Sequence, residues 1–285
     1  MSVNGLAYHT VVHALEAASN WTPQRRFASA IAHSINGHLP YERYNAAGHA
    51  RKRANTGTGA IERMVQEWLV TDLNPAVQTM RSVDQTSRAL RAYNAYNASA
   101  NLAVRTNAAF DADPGRTSAI VATRDVLSAQ VDPETCRVGT ILVLTTLMDI
   151  VAFNEREKLA PKIYSLSDIA IHLGVSRSAS ADVALIFELE GYVPVGEVAR
   201  MIGCHQRTLE RRLREEGLTA EAIRMATRLI RATKRLRSSD SLTAIAMEVG
   251  FSDQAQMTRA FRSSCGMTPS MLRMVTLASN PTHPI

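Results

Sequence analysis

The stretch that decides the fold is residues 241–274, SLTAIAMEVGFSDQAQMTRAFRSSCGMTPSMLRM. Its first twelve residues carry apolar Ile245 next to small Ala246, then Val249 and Phe251 on either side of Gly250. That pattern suits a short helix stopped by a glycine in the left-handed region, with a second helix crossing closely where the alanine stands. The second helix is expected to begin near Asp253 with Ser252 as its N-cap. Met257 and Phe261, four residues apart, point inward together, so Gln254, Ala255, Gln256 and Arg259 cover the outer face or its margins. Gly266 and Pro269 mark a turn into a last short helix near residues 270–277.

The same pattern stands upstream. Residues 194–205 read PVGEVARMIGCH and residues 165–176 read SLSDIAIHLGVS. Ile169, Val198 and Ile245 take the inward apolar position, Ala170, Ala199 and Ala246 the close crossing, and Gly174, Gly203 and Gly250 the positive-φ turn. Two matches lie 47 residues apart, Val195 to Leu242. In the first of these a second helix is expected over residues 206–215. Leu209 and Leu213 face inward there, and Arg207, Glu210, Arg211 and Arg214 outward. Arginine suits the O6 and N7 atoms of guanine, glutamate accepts from cytosine N4, and glutamine bonds adenine N6 and N7. Arg211, Arg212 and Arg214 are alternatively phosphate contacts, or partners of Glu215 and Glu216.

These residues carry a resemblance. Residues 193–274 resemble the DNA-binding domain of the AraC/XylS family of transcription regulators, through VPVGEVARMIGCHQRTLERRLREEG (193–217), LTAEAIRMATRLIRATKRLRSS (218–239) and the stretches GFSDQ, TRAF and GMTPS. The resemblance implies seven helices and two recognition helices held apart by a connecting helix. It also implies reading of two successive major grooves, about 34 Å apart, on one face of the duplex. By alignment with the family, Arg207, Glu210 and Arg211 fall on base-reading positions. The candidate DNA-binding set is Gln206, Arg207, Glu210, Arg211 and Arg214 in the first unit, and Asp253, Gln254, Gln256 and Arg259 in the second. Gln254 is the foremost reader of the second unit. Met257 replaces the family's usual aromatic residue or leucine. Residues 221–237 contain no Gly or Pro, and Ile223, Leu229, Ile230 and Leu236 give the connecting helix its buried side.

Charge agrees with a DNA-binding C-terminal part. The chain of 285 residues has a net charge of +6. Residues 1–192 hold 18 Lys and Arg against 18 Asp and Glu, while residues 193–285 hold 14 against 8, so the whole excess lies in the second part. A localised basic surplus suits a phosphate-binding module.

The rest of the chain reads as helical. Thr22-Pro23, Asn74-Pro75 and Asp132-Pro133 each place an N-cap residue before a proline at the first helical position. Helices are expected near 6–19, 23–36, 59–72, 75–111 and 133–156, with no alternating strand-like run. Residues 75–111, without Gly or Pro after Pro75, are expected as one long helix, either a scaffold or a dimerisation element. The fold class is therefore all-α, a helical N-terminal domain followed by the tandem helix-turn-helix domain. The expected boundaries are 1–160, then 161–192 as an extra helix-turn-helix or an inter-domain hairpin, 193–277, and a frayed tail at 278–285. In the 165–190 unit, Ser180 and Ala184 stand where Leu209 and Leu213 do. A register like that of the second unit would use Ala181 and Leu185 instead.

Several chemistries are excluded or set aside. Residues 1–20 lack a basic start with an apolar run, and the apolar stretch 139–153 contains Asp149 and falls short of the about 20 residues a membrane span takes. A cytoplasmic protein with no membrane association is expected. Cys136, Cys204 and Cys265 form no paired spacing, which argues against structural zinc or a disulfide framework. Cys204 is read as a structural thiol, with redox sensitivity as the alternative. His9 and His13 stand four apart without an acidic or cysteine neighbour, so no metal is expected. Residues 55–59, NTGTG, follow Arg51-Lys52-Arg53 but lack the strand and the Gly-Lys-Ser/Thr ending of a phosphate loop, and a helix-linking turn is expected. The chain is expected to be no enzyme and to need no cofactor. Its expected role is a sequence-specific transcription regulator, more an activator than a repressor, with double-stranded DNA and RNA polymerase as partners. The reading also allows a homodimer and leaves any small-molecule effector unidentified. An architectural or recombination accessory protein is the alternative, with a DNA-targeted enzyme behind it.

Overall fold

The computed structural model describes residues 2–4, 12, 16, 21–40, 42–43, 46, 49–50, 57–99, 104–110, 120–126 and 134–277. The described elements run in chain order as follows. β1 (Ser2–Asn4), α1 (Pro23–Ile35), β2 (His38–Pro40), α2 (Thr58–Thr71), α3 (Pro75–Arg81) and α4 (Thr86–Ser99) come first. β3 (Val104–Phe110), β4 (Ile120–Val126), α5 (Glu134–Arg156), α6 (Leu166–His172), α7 (Ala179–Glu190) and α8 (Val195–Met201) follow. α9 (Gln206–Glu215), α10 (Ala220–Arg235), α11 (Leu242–Glu248), α12 (Gln254–Cys265) and α13 (Pro269–Leu277) complete the chain. The fold class is all-α, with two small antiparallel ribbons, β1–β2 and β3–β4, among the described residues.

The helix starts follow local chemistry. The Thr22 hydroxyl accepts from the Arg25 N–H at 3.2 Å and the Asn74 amide oxygen from the Ala76 N–H at 3.0 Å, each ahead of a proline at the first helical position. The third such pair, Asp132-Pro133, and most of the expected helix 6–19 lie outside the described residues, as does the tail from 278.

The long helix expected over 75–111 is not formed. α3 ends at Arg81, whose guanidinium turns back to the carbonyls of Leu69 (2.5 Å) and Val70 (2.8 Å) at the end of α2. α4 ends at Ser99, and the chain continues as strand β3, with Val104 opposite Val126 and Phe110 opposite Ile120. The absence of Gly and Pro did not suffice, because tertiary contacts override a propensity that is only a weak prior. Asn94 and Asn97 on α4 accept from the N–H groups of Ala108 (3.0 Å) and Thr106 (3.1 Å), and Asn94 donates to the Ala108 carbonyl (2.8 Å). They stand where a third strand would. The buried positions of β3 are Thr106 and Ala108, too polar and too small to show as a strand pattern.

α3 is buried along its whole length and sits at the middle of the N-terminal layer. Two of its polar side chains, Gln78 and Arg81, bond backbone carbonyls. Gln78 donates to the Asp72 carbonyl (2.8 Å) and accepts from the Tyr164 N–H (3.0 Å). Beside it Asp72, fully buried, stands 3.3 Å from His33 Nδ1 and accepts from the Asn74 N–H at 2.8 Å. Burial alone would raise the Asp72 carboxyl, but the charge of His33, these hydrogen bonds and Arg81 outweigh it and hold it below the ordinary carboxylate range. Burial pushes the Arg81 guanidinium down to about 10 against the pull of Asp72 and Tyr164.

Two apolar cores form, and neither is confined to one part of the chain. One joins Val65, Leu69, Val77, Tyr93, Leu144 and Leu147 to Leu229, Ile245, Met257 and Phe261. The other joins Phe27, Ala30 and Ile31 of α1 to Ile169, Phe187, Val198, Leu209, Ile223 and Ile230.

A carboxylate with a lowered folded pKa contributes stability that is present above its unfolded value of about 3.9 and is lost as pH falls through the folded one. Asp72→Ala is expected to cost about 3–5 kcal/mol at pH 7 by leaving buried charge unpaired. The gap between variant and wild type should narrow at pH 3, as urea unfolding followed by circular dichroism will show.

Candidate nucleic-acid interface

The three repeated turns close in one way. Gly174, Gly203 and Gly250 have φ of 70°, 78° and 91°, a region open to glycine at little cost. In each turn the next residue's N–H reaches back to the buried alanine's carbonyl: Val175 to Ala170 (2.8 Å), Cys204 to Ala199 (2.9 Å) and Phe251 to Ala246 (2.9 Å). The glycine N–H bonds the carbonyl three residues earlier, which completes the double closure of a left-handed helix cap. The expected inward residues Ile169, Val198 and Ile245 are buried, as are the three alanines.

α9 spans the expected residues. Leu209 and Leu213 are buried, Arg207, Arg211 and Arg214 are exposed, and Glu210 is half-buried. Gln206 donates to Glu210 Oε1 at 2.7 Å, and Arg211 pairs with Glu215 at 2.8 Å. α12 buries Met257 and Phe261 and exposes Gln254, Ala255 and Arg259. Its N-cap is Asp253, one residue later than expected, because the Asp253 carboxylate accepts from the Gln256 N–H at 2.6 Å. Ser252 instead gives its N–H and hydroxyl to Gln256 Oε1 (2.8 and 3.3 Å). Asp253 and Gln256 thus already hold the helix start. The Gln256 N–H holds the Asp253 carboxyl below its ordinary range, with Ser252 and Arg259 adding to it.

The recognition helices correspond at an offset of 48 residues, one more than the helices before them, since Leu209 matches Met257 and Leu213 matches Phe261. Gln206 then matches Gln254, each the first residue of its helix. Gln254 is braced against the preceding helix, where the Thr243 hydroxyl donates to Gln254 Oε1 at 3.1 Å, whereas Gln206 is held by Glu210 of its own helix. Arg211 matches Arg259, and Arg214 matches Arg262, which is exposed. Arg262 was left out of the candidate set, though the offset between the two apolar pairs points to it. Arg228 and Arg231, outside both recognition helices, also carry positive charge between the units. They line a cavity of about 260 Å³ between the two units, with Gly191, Tyr192 and Gly250 in its wall and Glu190 and Glu248 as acidic neighbours.

The 165–176 unit is built differently beyond its turn. The N–H groups of Ala179 and Ser180, at the start of α7, donate to the Glu216 carboxylate at 2.9 and 3.0 Å. α7 buries Ser180, Ala181, Val183, Ala184 and Phe187 and leaves Leu185 46% exposed, so its register is the Ser180–Ala184 one. Arg177 is exposed ahead of it. α7 packs along α10 and against α9; residues 193–277 hold six helices, α8 to α13, so the seventh that the resemblance implies is α7, upstream of the expected boundary. At α13 the Thr268 hydroxyl takes the Met271 N–H (3.3 Å), one of the amides a phosphate would use.

Cys265 is buried and its thiol is pushed up to about 12, and Cys204 is half-buried in the turn. His9, His13, residues 51–56 and the side chain of Cys136 lie outside the described residues. Gly57 is the N-cap of α2, so that end of the 55–59 stretch is a helix start. Among the described residues no group of three His, Cys, Asp or Glu could hold a metal, and no helix is long and apolar enough to cross a membrane.

Two crossed helix pairs with basic outer faces, carried on one helix, define a tandem helix-turn-helix module. A helix-turn-helix domain family matches residues 198–274. The chain is 36% identical over 80 residues to the HTH-type transcriptional activator RhaS of Pectobacterium carotovorum subsp. carotovorum (strain PC1), a match covering 27% of this chain and 29% of that protein. The transcriptional regulator CdpR from Pseudomonas aeruginosa aligns over 93% of this chain and 96% of its own, with 17% identity and a TM-score of 0.33. The C-terminal part of the chain is an AraC-type helix-turn-helix domain, the DNA-binding module of a transcription-regulator family.

Removing Glu216 takes the acceptor from two amides at the start of α7, so Glu216→Ala is expected to cost about 1–2 kcal/mol. Arg207→Ala and Arg211→Ala should each stay within about 0.5 kcal/mol of wild type, being exposed or in an exposed pair. Urea titration of the three variants checks this and establishes which of them suit binding work.

Proposed function

We propose that the chain is a sequence-specific transcription activator that reads two successive major grooves with α9 and α12. The observation that carries this is the matched outer faces of the two helices, with Gln206 and Gln254 at their first positions, each held by a side-chain hydrogen bond, and arginines one and two turns on. Arg207, Arg211 and Gln254 are the base readers in this reading, and Glu210 sets the orientation of Gln206. Arg214, Arg259 and Arg262 are best suited to phosphates, and Asp253 and Gln256 act through the helix start. The surplus of positive charge after residue 192 supplies the sequence-independent part of the affinity.

The chain spans 29% of the length of the curated relative it matches, so the role of the N-terminal layer rests on this chain's own features. In this reading that layer supports the module and offers the surface for RNA polymerase or for a second copy, in the cytoplasm and without catalytic chemistry. The relative's title names an activator, which favours activation over repression here.

The test is selection of bound sequences from a random duplex pool, followed by titration of the best site. Two conserved blocks with centres about one helical turn apart are expected. Five added base pairs between them, about half a turn, should abolish the gain over random DNA. Arg207→Ala and Gln254→Ala should each lower discrimination by about 1–3 kcal/mol, whereas Arg214→Ala should weaken all sequences alike and reduce the salt slope by about one. Unchanged ratios in the first two variants would refute the assignment of readers.

A further inference from the structure

The far end of the second recognition helix is held by residues from the beginning of the chain. The Gly37 N–H donates to the Ser263 carbonyl at 2.9 Å, and the Asn74 side-chain amide donates to the Ser264 carbonyl at 2.9 Å. The Ser264 hydroxyl donates to the Ser34 carbonyl at 2.5 Å. Ser34, Gly37, Asn74 and Ser264 are all buried, so the two bonds of Ser264 are shielded from water. The last carbonyls of a helix have no partner within it, and here the N-terminal layer supplies two of the missing donors.

The grip is shaped for this contact. A Cβ on Gly37 would fall 2.0 Å from the Ser264 carbonyl oxygen, which is backbone and has no rotamer to move. Asn74 is oriented from two sides. Its amide oxygen caps α3 at the Ala76 N–H, and its own N–H is taken by Asp72. The same α1 that leads into Gly37 buries Phe27, Ala30 and Ile31 in the core of the first unit with Ile223, Ala226 and Ile230. α1 therefore reaches the first unit along its face and the second unit at its end, a second link between them beside α10.

Such a link acts on reading because a helix is a lever. α12 has 12 residues and is about 18 Å long, so a tilt of about 5° at its C-terminal end moves its first turn by about 1.5 Å. A hydrogen bond of about 2.9 Å does not survive a displacement of that size. The base-reading candidate, Gln254, stands in that first turn.

We propose that Gly37 and Asn74 are positioning residues for base reading by α12, so that discrimination at the second half-site depends on the N-terminal layer. This rests on the two-groove reading given above. The residues touch no DNA, and they act by fixing the angle at which α12 is presented.

The experiment uses the full chain and three duplexes: the selected site, the site with its first block scrambled, and the site with its second block scrambled. Which block belongs to which unit is assigned with Arg207→Ala and Gln254→Ala. Wild type should lose tenfold or more in affinity from either scramble. In Gly37→Ala and Asn74→Ser the penalty for scrambling the α12 block should fall below about threefold, while that for the α9 block stays within twofold of wild type. Asn74→Ser keeps an oxygen to cap α3 but cannot reach Ser264. Ser264→Ala, the mildest change, removes one bond of the grip and should shift the same penalty in the same direction with the thermal midpoint nearly unchanged. Equal loss at both blocks in Ser264→Ala, or no loss at either in all three variants, overturns the proposal. A wild-type protein indifferent to both scrambles would overturn the two-groove reading itself, a result distinct from the selective one expected here.

Discussion

The structure depends on α10 having two apolar faces. Ile223, Ala226 and Ile230 enter the core with α1, α7 and α9, while Leu229, Ala232 and Leu236 enter the core with α11, α12 and the N-terminal helices. A helix buried on two sides resists rotation about its own axis, because any turn withdraws apolar surface from one core or the other at about 25 cal/mol per Å². Arg224 adds a polar lock on the same helix. It donates to the Val193 carbonyl at 3.0 Å and lies over the rings of Phe187 and Tyr192, which ties the end of α7 to the connecting helix. The distance between the two recognition helices is therefore a property of the cores, and flexible linkage plays no part in it.

Apolar packing runs across the middle of the chain. α3, buried throughout, contacts α10, α12 and α13 as well as its own neighbours α4 and α5. Arg237, just past α10, donates to the carbonyls of Pro161 (3.4 Å) and Ser82, joining the connecting segment to both the linker and the N-terminal layer. Charge still divides near residue 192, because charge belongs to the surface that meets DNA while apolar side chains belong to shared cores.

The tandem module was legible because its constraints are local. A glycine at a left-handed turn, an alanine at a crossing and a pair of leucines four apart each act within ten residues, and all three reappear in the structure. The one-residue error at Ser252 came from two good capping residues in succession, between which geometry and not propensity chose Asp253. The N-terminal layer was less legible. β3 pairs with β4 on one edge and is held by Asn94 and Asn97 on the other, an arrangement that no periodicity announces. Likewise, nothing near Gly37 in the sequence points to Ser264, and the requirement for glycine there appears only when the two backbones meet. Of the interface, the outward arginines could be read from spacing, while the structural duties of Asp253, Gln256 and Glu216 arise only once the turns and helices meet.

The contact between Ser34 and Ser264 spans 230 residues, and it has a consequence for synthesis. At about 5–20 residues per second, α1 leaves the ribosome roughly 10–45 s before the helix end it holds has been made. For most of that interval Phe27, Ala30 and Ile31 have neither α9 nor α10 to cover them. Contacts of such long range are slow to form and leave apolar surface open meanwhile. The nascent chain is thus a natural client for chaperones that shield exposed helices until the helix end that α1 holds has been made.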